Sequence, residues 1–157
     1  MQKITPFLWF DGQAQQAAEH YVSIFHNSRI AQISHYGEVG PAPKGSVMAV
    51  IFELEGQEFI ALNGGPGFKF NQAVSLFVRC EDQMEVDVMW ERLSVGGETS
   101  MCGWLKDRFG LSWQVVPNLL WEMLQDKNAL KSQRVMQAMM QMKKIEIAGL
   151  QQAYDAV

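Results

Sequence analysis

The order of elements along the sequence predicts an α+β chain in which one βαβββ module follows another and a helical tail closes the C-terminal end. Three observations carry this prediction. Two β-rich runs are each followed at once by an amphipathic helical pattern, and each helical pattern by three further short strands. The second series starts roughly 70 residues after the first and keeps its order with little residue identity. Beyond about residue 118 strand alternation gives way to helical spacing.

The first module opens with KITPFLWF, residues 3–10, which is aromatic and β-rich until Asp11-Gly12 breaks the strand. Ala14, Ala17, Ala18, Tyr21, Val22 and Phe25 then fall on one helical face. A strand is expected over 29–36, before the Gly/Pro-rich loop 37–45. Strands 47–54 and 57–63 flank Glu55-Gly56, a dipeptide suited to a two-residue hairpin turn that sets Phe52 opposite Phe59 and Glu53 opposite Glu58.

The second module begins after the loop GGPGFKFN with a strand over 73–80. Asp82 caps the next helix, with Glu85 three residues on as in a capping box, and Val86, Met89, Trp90 and Leu93 line its inner face. Gly96-Gly97 ends it. Short strands follow near 99–102, 104–106 and 111–116, the last two joined by the turn Asp107-Arg108-Phe109-Gly110. Helices are expected over 130–142, which carries Met136, Met139, Met140 and Met142, and over 145–154. The modules thus span about 1–65 and 72–118 within a paired domain 1–118, and 119–157 is its C-terminal helical extension.

Composition narrows the function classes. With 13 Lys+Arg against 17 Asp+Glu, a net charge of −4, 48% hydrophobic and 19% charged residues, the chain reads as an ordinary globular domain without a basic footprint for nucleic acid. The charge is uneven: residues 1–124 carry eight basic and fourteen acidic side chains (−6), residues 125–157 five and three (+2). Cys80 and Cys102 are too few for a disulfide framework or an all-cysteine zinc site. No segment is apolar for long enough to span a membrane and the first residues lack a signal-peptide pattern, so the expected location is cytoplasmic. No HExxH, GxSxG or Walker-type loop occurs.

The phrases ITPFLWFDG, GQEFIALNGG, CGWLKDRFGLSWQVVP and RVMQAMMQMKKIEIAGL, set on tandem βαβββ modules, resemble the PhnB-like family of the vicinal oxygen chelate superfamily. That superfamily also holds glyoxalase I, bleomycin-resistance proteins and extradiol dioxygenases, and the PhnB-like members are often labelled 3-demethylubiquinone-9 3-methyltransferase domains. The resemblance implies that each module curls its strands into half of a cup, with helices outside and one binding site inside. It also implies a homodimer.

Strand patterning bears on which side chains would face such a cup. In 74–80, Val74, Leu76, Val78 and Cys80 form an apolar face suited to a helix, leaving Ser75, Phe77 and Arg79 on a mixed face. The last strand divides Leu111, Trp113 and Val115 from Ser112, Gln114 and Val116. Thr5, Phe7 and Trp9 are the mixed side of the first strand, and Gln57, Phe59, Ala61 and Asn63 that of the fourth. The mixed faces are assigned to the cup.

Metal-dependent members of the superfamily place His, Glu or Gln ligands on the first, fourth, fifth and eighth strands. The resemblance aligns Thr5 or the adjacent Pro6, Asn63, Ser75 and Gln114 with those positions, and neutral amides and hydroxyls are weak ligands for a divalent transition metal. His20 and His26 fall off the apolar face or at the end of the first helix, and a lone His35 reads as a hydrogen-bonded wall residue. No metal and no cofactor is expected. A Rossmann-like site for S-adenosylmethionine would need a glycine cluster after the first strand, where Asp11-Gly12-Gln13 stands.

The expected function is metal-free binding of a small, flat, apolar or aromatic molecule by Thr5, Phe7, Trp9, Phe59, Asn63, Ser75, Phe77, Arg79, Trp104 and Gln114. Arg79, Gln114, Ser75 and Asn63 would hold its polar end. One alternative is an enzyme of the superfamily type, with Arg79 stabilising an enolate or oxyanion; another is a dimeric interaction module with a vestigial cup. Gly64-Gly65-Pro66-Gly67 leads to a strand and reads as a connection or lid, in which Phe68 and Phe70 could close over the cup and Lys69 meet an acidic ligand. Cys80 reads as a core hydrophobe, Cys102 as an unactivated thiol, and the methionine stripe as core of the tail.

Overall fold

Glu55 and Gly56 both take positive φ, 50° and 79°, and this turn sets the register of the strands on either side of it. In the computed structural model, which describes residues 1–157, the first of two units covers residues 1–70. Its elements are β1 (Phe7–Phe10), α1 (Ala14–Ile24), β2 (Arg29–His35), β3 (Val47–Leu54) and β4 (Gln57–Asn63). The sheet order is β1-β4-β3-β2, with β1 parallel to β4 and the other pairs antiparallel. Phe52 opposes Phe59 and Glu53 opposes Glu58, as the hairpin chemistry requires.

Helix α1 buries Ala14, Ala17, Ala18, Tyr21 and Ile24 against β3 and β4. Three alanines on that face let the helix lie close to the sheet, and Tyr21 fills the remaining space against Phe52, ring centroids 6.3 Å apart. Phe52 in turn stacks on Phe59 at 5.4 Å. Leu8, Phe10, Val50, Leu54 and Ala61 complete this core.

The second unit, residues 71–157, repeats the topology as β5 (Ser75–Cys80), α2 (Gln83–Ser94), β6 (Glu98–Thr99), β7 (Trp104–Lys106) and β8 (Ser112–Pro117), in sheet order β5-β8-β7-β6. Strand β5 starts two residues later than the composition suggested, and Val74, expected on the helix-packed face, is exposed ahead of it. Asp82 Oδ1 accepts the Glu85 N–H at 2.8 Å, and the Glu85 carboxylate reaches back to the Glu81 N–H at 2.6 Å. The β7–β8 turn is organised by Asp107, buried, whose Oδ1 accepts from the N–H groups of Phe109 and Leu111 while Oδ2 accepts from Trp113 Nε1.

The tail has three helices: α3 (Asn118–Leu124), α4 (Ala129–Met140) and α5 (Ile147–Asp155). Helix α3 was not anticipated. Its Leu120 and Met123 join Val116, Val135, Ile145 and Leu150 in a buried cluster, with Met139, Met142 and Tyr154 packed on it. The methionine stripe is therefore core only in part: Met136 and Met140 are exposed. The tail is strapped to the second sheet through backbone bonds, Cys102 N–H to Met142 O at 2.7 Å and Gly103 N–H to Lys143 O at 2.8 Å. No helix is long and apolar enough to cross a membrane.

Candidate functional site

Residues opposed across parallel strands point to the same side of a sheet, so the two registers define which side chains lie away from the helix in each unit. In the first unit Phe7 pairs with Ile60 and Trp9 with Leu62; in the second Phe77 pairs with Gln114 and Arg79 with Val116. The internal repeat therefore equates Phe7 with Phe77, Trp9 with Arg79, and Ile60 with Gln114. In β5 and β8 the faces divide as the patterning implied. In β4 they are reversed.

The reversal corrects two expected ligand residues. Phe59 is only 5% exposed, stacked on Phe52 beneath α1, so it belongs to the core. Asn63 lies on the same side, where its Oδ1 accepts the N–H of Ala14 at 2.8 Å and its Nδ2 donates to Val47 O at 3.1 Å. It supplies the acceptor at the start of α1 that Gln13, in the cap position, does not. The fourth strand instead turns Glu58, Ile60 and Leu62 away from the helix.

On that face of the first unit Phe7 is 56% exposed, and Thr5 Oγ1 donates to Glu58 Oε1 at 3.3 Å. Trp9 is held by the loop after β4: its Nε1 donates to Gly65 O at 2.8 Å and Phe68 meets its ring edge-on at 5.0 Å. A side chain at residue 64 would start 2.3 Å from the indole, so Gly64 is what admits Trp9. Phe70 contacts Phe10, on the helix side.

The face of the second sheet away from α2 carries Ser75, Phe77, Arg79, Gln114 and Val116, with Trp104 opposite Gln114. Helix α3 covers one end of it. Between them lies a cavity of about 150 Å³ lined by Phe77, Cys102, Trp104, Gln114, Val116, Leu120, Trp121, Leu124 and Met139. Gln114 Nε2 donates to Ser75 Oγ at 3.0 Å, which fixes the amide and leaves its Oε1 as an acceptor. The Phe77 and Trp121 rings lie 6.3 Å apart, and the Arg79 guanidinium lies 5.5 Å from the Phe77 centroid without entering an ion pair. Leu120, Trp121, Leu124 and Met139 were not among the expected site residues. Their signal was the apolar run Leu119-Leu120-Trp121 after Pro117, too short to show a period.

Neither thiol is set up for nucleophilic work by a neighbouring base. Burial, then the Glu85 and Asp82 carboxylates, push the Cys80 thiol up to about 12. Cys102 lines the cavity at φ 61°, in the turn that receives the tail.

The metal that the superfamily implies does not fit these residues. Asn63 is committed to α1, Ser75 and Gln114 bond each other, and Thr5 bonds Glu58. No group of three or more His, Cys, Asp or Glu side chains is arranged to hold an ion. His20 lies on α1, and His26 and His35 are exposed. S-adenosylmethionine fits no better: the β1–α1 turn has a single glycine, and β1 lies at the edge of a mixed sheet rather than in a doubly wound parallel one.

Two mixed four-stranded sheets of identical strand order, each with a helix on one face, define the class as a protein of tandem βαβββ modules. Within that class the chain belongs to the PhnB-like family described as 3-demethylubiquinone-9 3-methyltransferase, whose profile matches residues 2–116. A PhnB protein of Bacillus cereus carrying the same methyltransferase label is 39% identical, with a TM-score of 0.68 over 74% of this chain and 99% of its own. A Pseudomonas aeruginosa protein at 20% identity shares the fold, with a TM-score of 0.62 over 74% of this chain and 98% of its own. No curated protein matches the chain. The family match ends one residue before Pro117, so α3, α4 and α5 lie outside it.

Proposed function

We propose that the protein binds a small organic molecule, without a metal, on the second sheet beneath α3. A single observation carries this reading: a cavity of about 150 Å³ whose lining is aromatic and aliphatic apart from Gln114 and the Cys102 thiol. Small-molecule sites combine apolar walls with few polar groups that fix orientation. Gln114, held by Ser75, offers an acceptor to the polar end of the ligand, and Arg79 stands beside Phe77 at the rim. On the first sheet, Thr5, Phe7 and Trp9 offer a surface of similar chemistry. The family resemblance further supports a homodimer, and we keep the cytoplasm as the proposed location. The methyltransferase label is not taken over, because the residues offer no site for a methyl donor.

The test is thermal unfolding of the purified protein against a panel of small aromatic and aliphatic compounds, with and without a chelator. At least one compound should raise the melting temperature irrespective of chelator, and Gln114→Leu should abolish that rise while melting within a few degrees of the parent protein. A panel that leaves the melting temperature unchanged, or a response that disappears with the chelator, would overturn the reading.

A further inference from the structure

Resting on that reading, we infer that the tail narrows the site to one ligand class, a single aromatic ring bearing an anionic group. The size limit comes from residues outside the family match. The sheet contributes Phe77, Trp104, Gln114 and Val116, and the tail supplies the opposite wall through Leu120, Trp121, Leu124 and Met139. A sheet face alone is flat; α3 and α4 add a second wall and leave a half-open pocket of about 150 Å³. Space of roughly that volume between two walls accepts a benzene-sized ring, and a second fused ring would have to displace Trp121 or project beyond the walls.

Ring shape follows from what lines the space. Phe77 and Trp121 lie 6.3 Å apart with their planes inclined by 37°, and Trp104 stands opposite Gln114. At that spacing the two rings pair with each other, and their free faces and edges, together with Trp104, give a guest an aromatic wall that favours a flat ring over a branched aliphatic group. Charge follows from Arg79. Its guanidinium rests by the Phe77 ring, no carboxylate of this chain pairs with it, and its fork of N–H donors matches a carboxylate. Trp121 thus sets ring size and Arg79 sets charge preference.

The experiment measures binding of benzoate, benzamide and 2-naphthoate by calorimetry to the full chain, to Trp121→Ala and to Arg79→Gln. The parent protein should bind benzoate at least about tenfold more tightly than benzamide, as a charge-assisted hydrogen bond allows. It should bind 2-naphthoate at least about tenfold more weakly than benzoate. Trp121→Ala should remove the discrimination against 2-naphthoate, and Arg79→Gln should remove the preference for benzoate over benzamide. Trp121→Phe, which keeps an aromatic wall, guards against loss of fold and should relax the size limit only partly. Equal affinity for one and two rings, or discrimination unchanged in Trp121→Ala, would overturn the inference. If aliphatic compounds bind and none of the three arenes does, the inference fails and the binding reading stands; if nothing binds, both fail.

Discussion

Asn63, the last residue of β4, accepts the backbone N–H of Ala14, the first residue of α1, at 2.8 Å. One side chain thereby joins the end of a strand to the start of the helix packed on it, and its Nδ2 also holds Val47 of β3. Asn63→Ala should cost about 1–2 kcal/mol, as loss of a helix cap does. Denaturant unfolding measures this, and affinity for any ligand of the second unit should be unchanged. A stability loss below a few tenths of a kcal/mol together with weakened binding would return Asn63 to a ligand site.

The register of β4 predicts opposite behaviour for two phenylalanines that look alike in the sequence. Phe59→Ala should destabilise by about 3–5 kcal/mol, because Phe52 and Tyr21 cannot follow it into the gap. Phe7→Ala, at a position more than half exposed, should cost less than about 1 kcal/mol. Equal losses in the two variants would mean that the strand faces the other way.

Cys80 and Cys102 should separate in their chemistry. With the Cys80 thiol at about 12, chiefly through burial, the native protein at pH 8 should expose one thiol to an aromatic disulfide reagent and yield the second only on unfolding. The raised value also has a consequence for stability. The folded state keeps its proton while the unfolded thiol ionises near its ordinary 9.0, so Cys80 contributes stability in full below that pH and loses it as pH rises towards 12. Cys80→Ala should flatten this alkaline slope, read from denaturant midpoints between pH 8 and 11.

At the end of the tail, Tyr154 Oη donates to Asp126 Oδ2 at 2.5 Å and Lys131 Nζ lies 4.5 Å from the Tyr154 ring. The hydrogen bond from Tyr154, then that from the Asn128 N–H, holds the Asp126 carboxyl below its ordinary 3.8. Its contribution is therefore complete above that pH and is lost as pH falls through the lower, folded value. The protection factors of the α5 amides, exchange rates taken relative to the intrinsic rate at each pH, should fall on acidification. Tyr154→Phe should raise exchange in α5 at neutral pH and weaken its acid dependence; unchanged protection would show that packing alone holds α5.

Most of the fold was legible because its signals are local. Ala14, Ala17, Ala18 and Tyr21 mark a helix by spacing alone, Glu55-Gly56 sets a hairpin register through the backbone angles those residues accept, and Asp82 with Glu85 marks a helix start. The order of elements and the faces of β5 and β8 followed from such features.

What local pattern could not decide was β4 and α3. In β4 both candidate faces are mixed, Gln57-Phe59-Ala61-Asn63 against Glu58-Ile60-Leu62, so alternation has no preferred side. The choice is made at a distance, by α1 needing an acceptor for the Ala14 N–H and by Phe52 and Tyr21 needing Phe59. Helix α3 is seven residues long, too short to nucleate by propensity, and forms because Leu120 and Met123 are buried against Val116, Val135 and Ile145. The sequence alone determined two modules and the order of their elements through local backbone and hydrophobic preferences; tertiary packing decided the order of strands in each sheet and which side chains surround the cavity, since these depend on the apolar surface each element must cover.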